Sequence, residues 1–128
     1  MKPDILDSSA WIEVLDSGPN TPHFAPIIAR HPDIIVPAII ITEIRKFIIR
    51  ERSHEEAEEV TRSLLASIVV QFDEQVALSA ADLSIKHKLP LADSIIYATA
   101  LNQNATLWTQ DIDFKGLPNV KYFPKKKT

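Results

Sequence analysis

Residues 91–114 read LADSIIYATALNQNATLWTQDIDF, and this stretch decides the fold. Its first half has the length and apolar spacing of a helix, with Ile96, Tyr97, Ala100 and Leu101 as the packed side. A short polar turn follows, and then Ala105 to Thr109 reads as a buried strand. Acids mark both ends: Asp93 where the helix opens, Asp111 and Asp113 just past the strand.

Outward from here the same alternation fills the chain. Asp4 to Asp7 is a strand, and Ser8 and Ser9 are placed to cap the helix that follows it, which stops near Gly18 and Pro19. Trp11, Leu15 and Ile12 form that helix's buried stripe. Thr21 and Pro22 start a second helix, running to about Arg30. After the His31-Pro32-Asp33 turn, Ile34 to Val36 is a strand ended by Pro37. Residues 38–52, AIIITEIRKFIIRER, are β-branched enough for a strand, but their length and the set Ile40, Ile44, Phe47, Ile48 predict a helix. Ser53 with Glu56 is a capping box that starts another at once. Its wet face is Glu55, Glu56, Glu58, Glu59 and Arg62; its dry face is Val60, Leu64 and Leu65. Ile68 to Phe72 is the third strand, and Asp73 caps a helix to about Lys88. Val120 to Phe123 adds a fifth strand at an edge. Short, unalternating apolar strands between helices imply an α/β domain with a parallel sheet of four or five strands, covered on both faces. The domain is expected over 1–124, with 125–128 a basic tail that reads as a solvated terminus.

The chain has 128 residues, 45% hydrophobic and 24% charged, in the range of one ordinary globular domain. It has no cysteine, which excludes a disulfide scaffold and any thiolate-bound metal. Asp4 and Asp7 interrupt the apolar core that a signal peptide needs, and the apolar run 34–41 is too short to span a bilayer. A cytoplasmic protein without a membrane segment is expected. Two glycines, Gly18 and Gly116, cannot build a phosphate-cradling loop. His23, His31, His54 and His87 are scattered without metal-ligand spacing and read as surface or capping residues. Ser8 and Ser9 lack the glycines of a nucleophile elbow. Trp108 reads as a core residue rather than a base-stacking one.

The acids remain. Asp7 ends the first strand, Asp111 follows the fourth, Asp93 opens the intervening helix, and Glu43 sits at the rim of an apolar helix stripe. Singly each has an ordinary role as a cap, an Asx-turn or a flank residue paired with Lys46. Jointly they sit where open parallel sheets bind ligands, at the carboxyl ends of strands beside the point where strand order reverses. Clustered carboxylates repel and raise one another's pKa values unless a cation intervenes. Oxygen donors alone suit Mg²⁺ or Mn²⁺, and such a site can activate a water and hold a phosphate, the chemistry of metal-dependent phosphodiester hydrolysis. A receiver-like Mg²⁺-binding signalling domain is the alternative of another class. It requires an acidic pair after the first strand, where this chain has Ser8 and Ser9, and an acceptor acid after the third, where Asp73 reads as a cap.

The segments DSSA (7–10), TEI (42–44), LADSIIYATA (91–100) and TQDIDF (109–114) together resemble the PIN domain, and most of all the VapC-type toxins of prokaryotic toxin–antitoxin pairs. The resemblance covers essentially the whole chain. It implies a three-layer α/β/α fold, usually a homodimer, and cleavage of RNA by a metal-activated water, leaving a 5′-phosphate. By that resemblance Asp7, Glu43, Asp93 and Asp111 are the catalytic quartet. Asp7, Asp93 and Asp111 hold Mg²⁺ or Mn²⁺, and Glu43 orients or activates the water. Ser9, Thr109 and Asp113 are accessory. A VapB-like antitoxin silences such toxins, and an apolar groove on helices 38–52 and 53–67 is the expected seat. A PIN scaffold without turnover, or an RNA-processing nuclease, carries the same four acids. The net charge is −3, so an RNA-binding face must be local, with Arg45, Lys46 and Lys115 as candidates.

Overall fold

The computed structural model describes residues 2–127; Met1 of the expected domain and Thr128 of the expected tail lie outside the described residues. In chain order the elements are β1 (Asp4–Leu6), α1 (Ser8–Leu15), α2 (Thr21–Ile28), β2 (Ile35–Pro37), α3 (Ala38–Glu51) and α4 (His54–Leu65). Then come β3 (Ile68–Val70), α5 (Glu74–His87), α6 (Leu91–Asn102), β4 (Thr106–Thr109), a 3-10 turn (Ile112–Phe114) and β5 (Val120–Tyr122). The strands form one sheet in the order β3-β2-β1-β4-β5. Every neighbouring pair is parallel. Strand order runs one way from β1 to β3 and then jumps back beyond β1 to β4. The reversal therefore falls between β1 and β4, which pair Asp4 with Thr106 and Leu6 with Trp108.

Helices flank the sheet on both sides, as the alternation predicts. Helix α2 and α1 pack on β1, α4 on β3, and α6 on β4; α3 lies along β2 and touches α1, α4 and α6. The core joins Ile5, Leu6 and Leu107 of the central strands to Phe24, Ile40, Ile44, Ile48, Leu64 and Tyr97 from the helices. The β-branched segment 38–51 is a helix because Ile40, Ile44 and Ile48, four apart, all go fully into that core. A strand would have split them from Ile39 and Ile41 by alternation alone.

Three local expectations are corrected. Asp7, not Ser8 or Ser9, caps α1, its carboxylate accepting the N–H of Ala10 at 3.0 Å. An acid directly after a strand reaches the free N–H groups of the next helix better than a serine inside the first turn. Leu65 is not on the dry face of α4: it is 59% exposed, one residue round the helix from the buried Leu64. Asp93 is not a cap either, because Pro90 holds that place with no side-chain bond and Asp93 lies in the first turn. The caps at Ser53 and Asp73 form as expected, accepting from Glu56 N at 3.1 Å and Val76 N at 3.0 Å. No helix among the described residues is long and apolar enough to cross a membrane.

Candidate metal centre

Burial positions the first acid. Asp7 leaves β1 only 3% exposed, so both carboxylate oxygens must be satisfied internally. Oδ1 accepts from Ser9 Oγ at 2.7 Å and from Ala10 N at 3.0 Å. Oδ2 accepts from Thr109 Oγ1, across the β1–β4 boundary, at 2.6 Å. Thr109 in turn accepts the N–H of Asp111 at 2.9 Å. One hydroxyl therefore fixes the first and last acids of the expected quartet relative to each other. Burial pushes the Asp7 carboxyl up to about 6. The three hydrogen bonds oppose that rise, and the nearby charge of Asp111 adds to it.

Asp93 enters from the first turn of α6 and Asp111 from the end of β4. Asp111 accepts the N–H of Asp113 at 2.9 Å, an Asx-type cap that folds the 3-10 turn back on itself. That fold brings in the third carboxylate: oxygen atoms of Asp93, Asp111 and Asp113 all lie within 4.8 Å of one another. Burial, then the charge of Asp111 and the contact with Asp113, then Asp7, push the Asp93 carboxyl up to about 7. Asp7 and Asp93 thus hold their protons closer to neutral pH than ordinary carboxylates do. A hard divalent cation relieves the repulsion, and an all-oxygen donor set of half-buried and exposed carboxylates fits Mg²⁺ or Mn²⁺. Asp113, expected to be accessory, lies inside the closest triad; Asp7 stands beside it and acts on Asp93 through its charge.

Glu43 is not part of that triad. It is half-buried on α3 and accepts a hydrogen bond from Ser8 Oγ at 2.5 Å, so the residue beside Asp7 tethers it. The accessory residues Ser9 and Thr109 are where the sequence put them, both bonded to Asp7.

A buried polar set beneath the acids was missed from sequence. Glu13, on the inner face of α1, accepts from Asn20 N at 2.7 Å and from Gln110 Nε2 at 3.3 Å. Asn20 Nδ2 donates to Gln110 Oε1 at 2.9 Å and to the carbonyl of Pro124 at 3.0 Å. Gln110 N also donates to Ser9 Oγ at 3.3 Å. These groups lock α1 to the loop after β4, and so Asp7 to Asp111. The available signal was an acid three residues after Ala10, on the face that Ala10 and Trp11 bury.

Of the cationic candidates, Arg45 is engaged by Glu58 at 2.5 Å and by Thr61 at 2.9 Å. The apolar groove expected on helices 38–52 and 53–67 is about 640 Å³ and is lined by α3 alone, through Ile41, Thr42, Arg45, Lys46, Ile49 and Arg50. Asp73 caps α5 beyond the edge strand β3, two strands from β1, so it does not join the acids of the centre.

The PIN domain family model matches residues 5–120. Among curated proteins no relative matches. Solved structures share the fold. A toxin–antitoxin complex from Klebsiella pneumoniae is 23% identical with a TM-score of 0.78, over 94% of this chain and 98% of that one. VapBC2 from Rickettsia felis, bound to a DNA fragment from its promoter, is 17% identical with a TM-score of 0.70, over 94% and 97%. The sarcin-ricin loop cleaving toxin VapC20 of Mycobacterium tuberculosis is 14% identical with a TM-score of 0.67, over 86% and 89%.

Proposed function

The chain belongs to the PIN domain family, and on that premise we propose that it is a VapC-type endoribonuclease toxin, dependent on Mg²⁺ or Mn²⁺. The observation that carries this reading is the convergence of Asp93, Asp111 and Asp113 within 4.8 Å, beside the buried Asp7 at the reversal of the sheet. Asp7, Asp93 and Asp111 are the proposed ligands, with Asp113 accessory. Bound there, a divalent cation would supply positive charge for a phosphate and lower the pKa of a water. Ser9 and Thr109 keep Asp7 oriented and ionised by donating to it. Glu43, held by Ser8, is the group that orients or deprotonates the attacking water. The product ends would be a 5′-phosphate and a 3′-hydroxyl.

The test is cleavage of mixed cellular RNA by purified wild type and Asp93→Asn, with Mg²⁺, with Mn²⁺ and with EDTA. Metal-dependent cutting by wild type alone is the expected result. A folded, partner-free sample that cuts nothing under any condition would overturn the nuclease in favour of a PIN scaffold kept for binding.

The toxin–antitoxin complexes that share the fold support a VapB-like partner; a homodimer and a cytoplasmic setting join the same proposal as what the family resemblance implies. We place the antitoxin on the α3 groove, whose apolar floor includes Ile41 and Ile49 and whose rim is basic. Ile49→Asp is expected to weaken antitoxin binding by at least about tenfold, leaving the melting temperature near wild type. Unchanged affinity in a pull-down titration would move the partner elsewhere.

A further inference from the structure

A second cavity, about 490 Å³, opens directly beside the acids. Ser9 and Asp111 form one side of it; Ile112, Tyr122, Pro124 and Lys125 form the other. Its volume lies within the range of small-ligand pockets, roughly 300–1,000 Å³. Two of its walls are apolar where burial does not require it: Ile112 is 68% exposed, and Tyr122 is half-buried on the last strand. Its one cation, Lys125, makes no ion pair among the described residues, unlike Arg45, whose charge Glu58 takes.

The placement of Lys125 is built rather than incidental. Asn20, fully buried, donates to the carbonyl of Pro124 at 3.0 Å, immediately before the lysines. Phe123 N donates to Thr109 O at 2.9 Å, and the Phe123 ring is stacked between Trp108 and His23, with centroids 6.0 Å and 4.1 Å away. The same Asn20 bonds Gln110, which floors the cavity and whose amide is already satisfied. The chain that carries the basic tail is therefore pinned to the residues that hold Asp7 and Asp111. A half-buried aromatic ring, an exposed aliphatic wall and an unpaired cation, lining one cavity with Asp111 of the candidate metal centre, match the parts of one nucleotide: base face and backbone phosphate.

We propose that this cavity seats the nucleotide next to the scissile phosphate of a single-stranded RNA, with Tyr122 and Ile112 against the base and Lys125 on the adjoining phosphate. The proposal rests on the nuclease reading above and adds to it the place where substrate is held.

The experiment uses the full chain carrying Asp93→Asn, so that RNA is bound without being cut. Affinity for a short fluorescent oligouridylate is measured by anisotropy across a salt series. Tyr122→Leu is expected to weaken binding about tenfold and Tyr122→Phe to restore it, because stacking needs the ring and not the hydroxyl. Lys125→Gln is expected to reduce the slope of log affinity against log salt by about 0.7, the loss of one phosphate contact on a single strand. Lys86→Gln, the same charge change on α5, should leave both unchanged. In the otherwise wild-type chain, Tyr122→Leu should raise KM more than it lowers kcat. If wild type cuts RNA but the Tyr122 and Lys125 variants bind as the parent does, the subsite is overturned and the nuclease stands. An equal loss from Lys86→Gln would also overturn it, reducing the effect to general charge. If wild type cuts no RNA and the Asp93→Asn parent binds none, the nuclease reading falls and the subsite falls with it.

Discussion

Asp93 carries the largest consequence of any single residue. Its folded-state pKa is about 7, against an ordinary value of 3.8. Between those values the folded protein holds a proton that the unfolded chain has lost, so metal-free stability falls as pH rises through that window and levels off above it. Asp7, raised to about 6, acts in the same direction over a shorter range. Asp93→Asn in EDTA should therefore raise the melting temperature more at about pH 8 than at about pH 5. An equal shift at both values would mean that the carboxylates do not interact as described. A second residue is less conspicuous. A methyl group on Gly18 would come within 2.2 Å of the buried Glu13 carboxylate. Gly18→Ala should cost about 1–3 kcal/mol in urea unfolding through overpacking; no loss would mean that Glu13 turns away freely. That Asp7, Asp93 and Asp111 come near one another was legible in the sequence because strand ends and helix starts announce themselves locally; Glu43, inside α3, had no such marker. Glu13, Asn20 and Gln110 were not legible, since their bonds join residues 7 to 97 positions apart and no local pattern encodes that approach.

Among the elements, α6 differs from the amphipathic helix that its spacing suggested. Residues Ser94 to Ala100 are all buried. Ile96, Tyr97 and Ala100 face the main core, while Ile95 and Ala98 meet Val76 and Ala80 of α5. The sequence shows one packed side and cannot show that a second helix covers the other. Helix α3 is the opposite case: the four-residue spacing of its isoleucines outweighed their preference for strands, and the spacing was correct. Leu65 was placed wrongly because successive helix residues point about 100° apart, so of the pair only Leu64 reaches the core. Helix α5 offers a clean test of an element boundary. Lys88 ends it in the left-handed conformation, φ 56° and ψ 41°. Lys88→Gly should stabilise the protein by up to about 1 kcal/mol, because glycine adopts that conformation without a Cβ penalty. A lower urea midpoint would mean that the lysine side chain does something else there.

For the whole molecule, strand order is what the sequence conveys least directly. Alternating helices and strands imply a parallel sheet, but only the return from β3 to β4 creates the crevice between β1 and β4, and that return is a property of the assembled chain. The acids then link distant parts of the fold. Mg²⁺ at about a hundred times its dissociation constant should add about 2.7 kcal/mol to unfolding, and Asp111→Asn should remove most of that gain. If the ion stabilised both proteins alike, it would be binding elsewhere.

The order in which the chain is made gives that linkage a further meaning. A polypeptide still emerging from the ribosome, with residues beyond 102 undelivered, already has Asp7, Glu43 and Asp93. It lacks β4, Asp111, Asp113 and the hydroxyl of Thr109 that turns Asp7 into place. The partial sheet β3-β2-β1 has no crevice, because its missing neighbour is the fourth strand. Nascent chains and products truncated before β4 should therefore be inert. The centre can form only once β4 and the turn after it have been delivered.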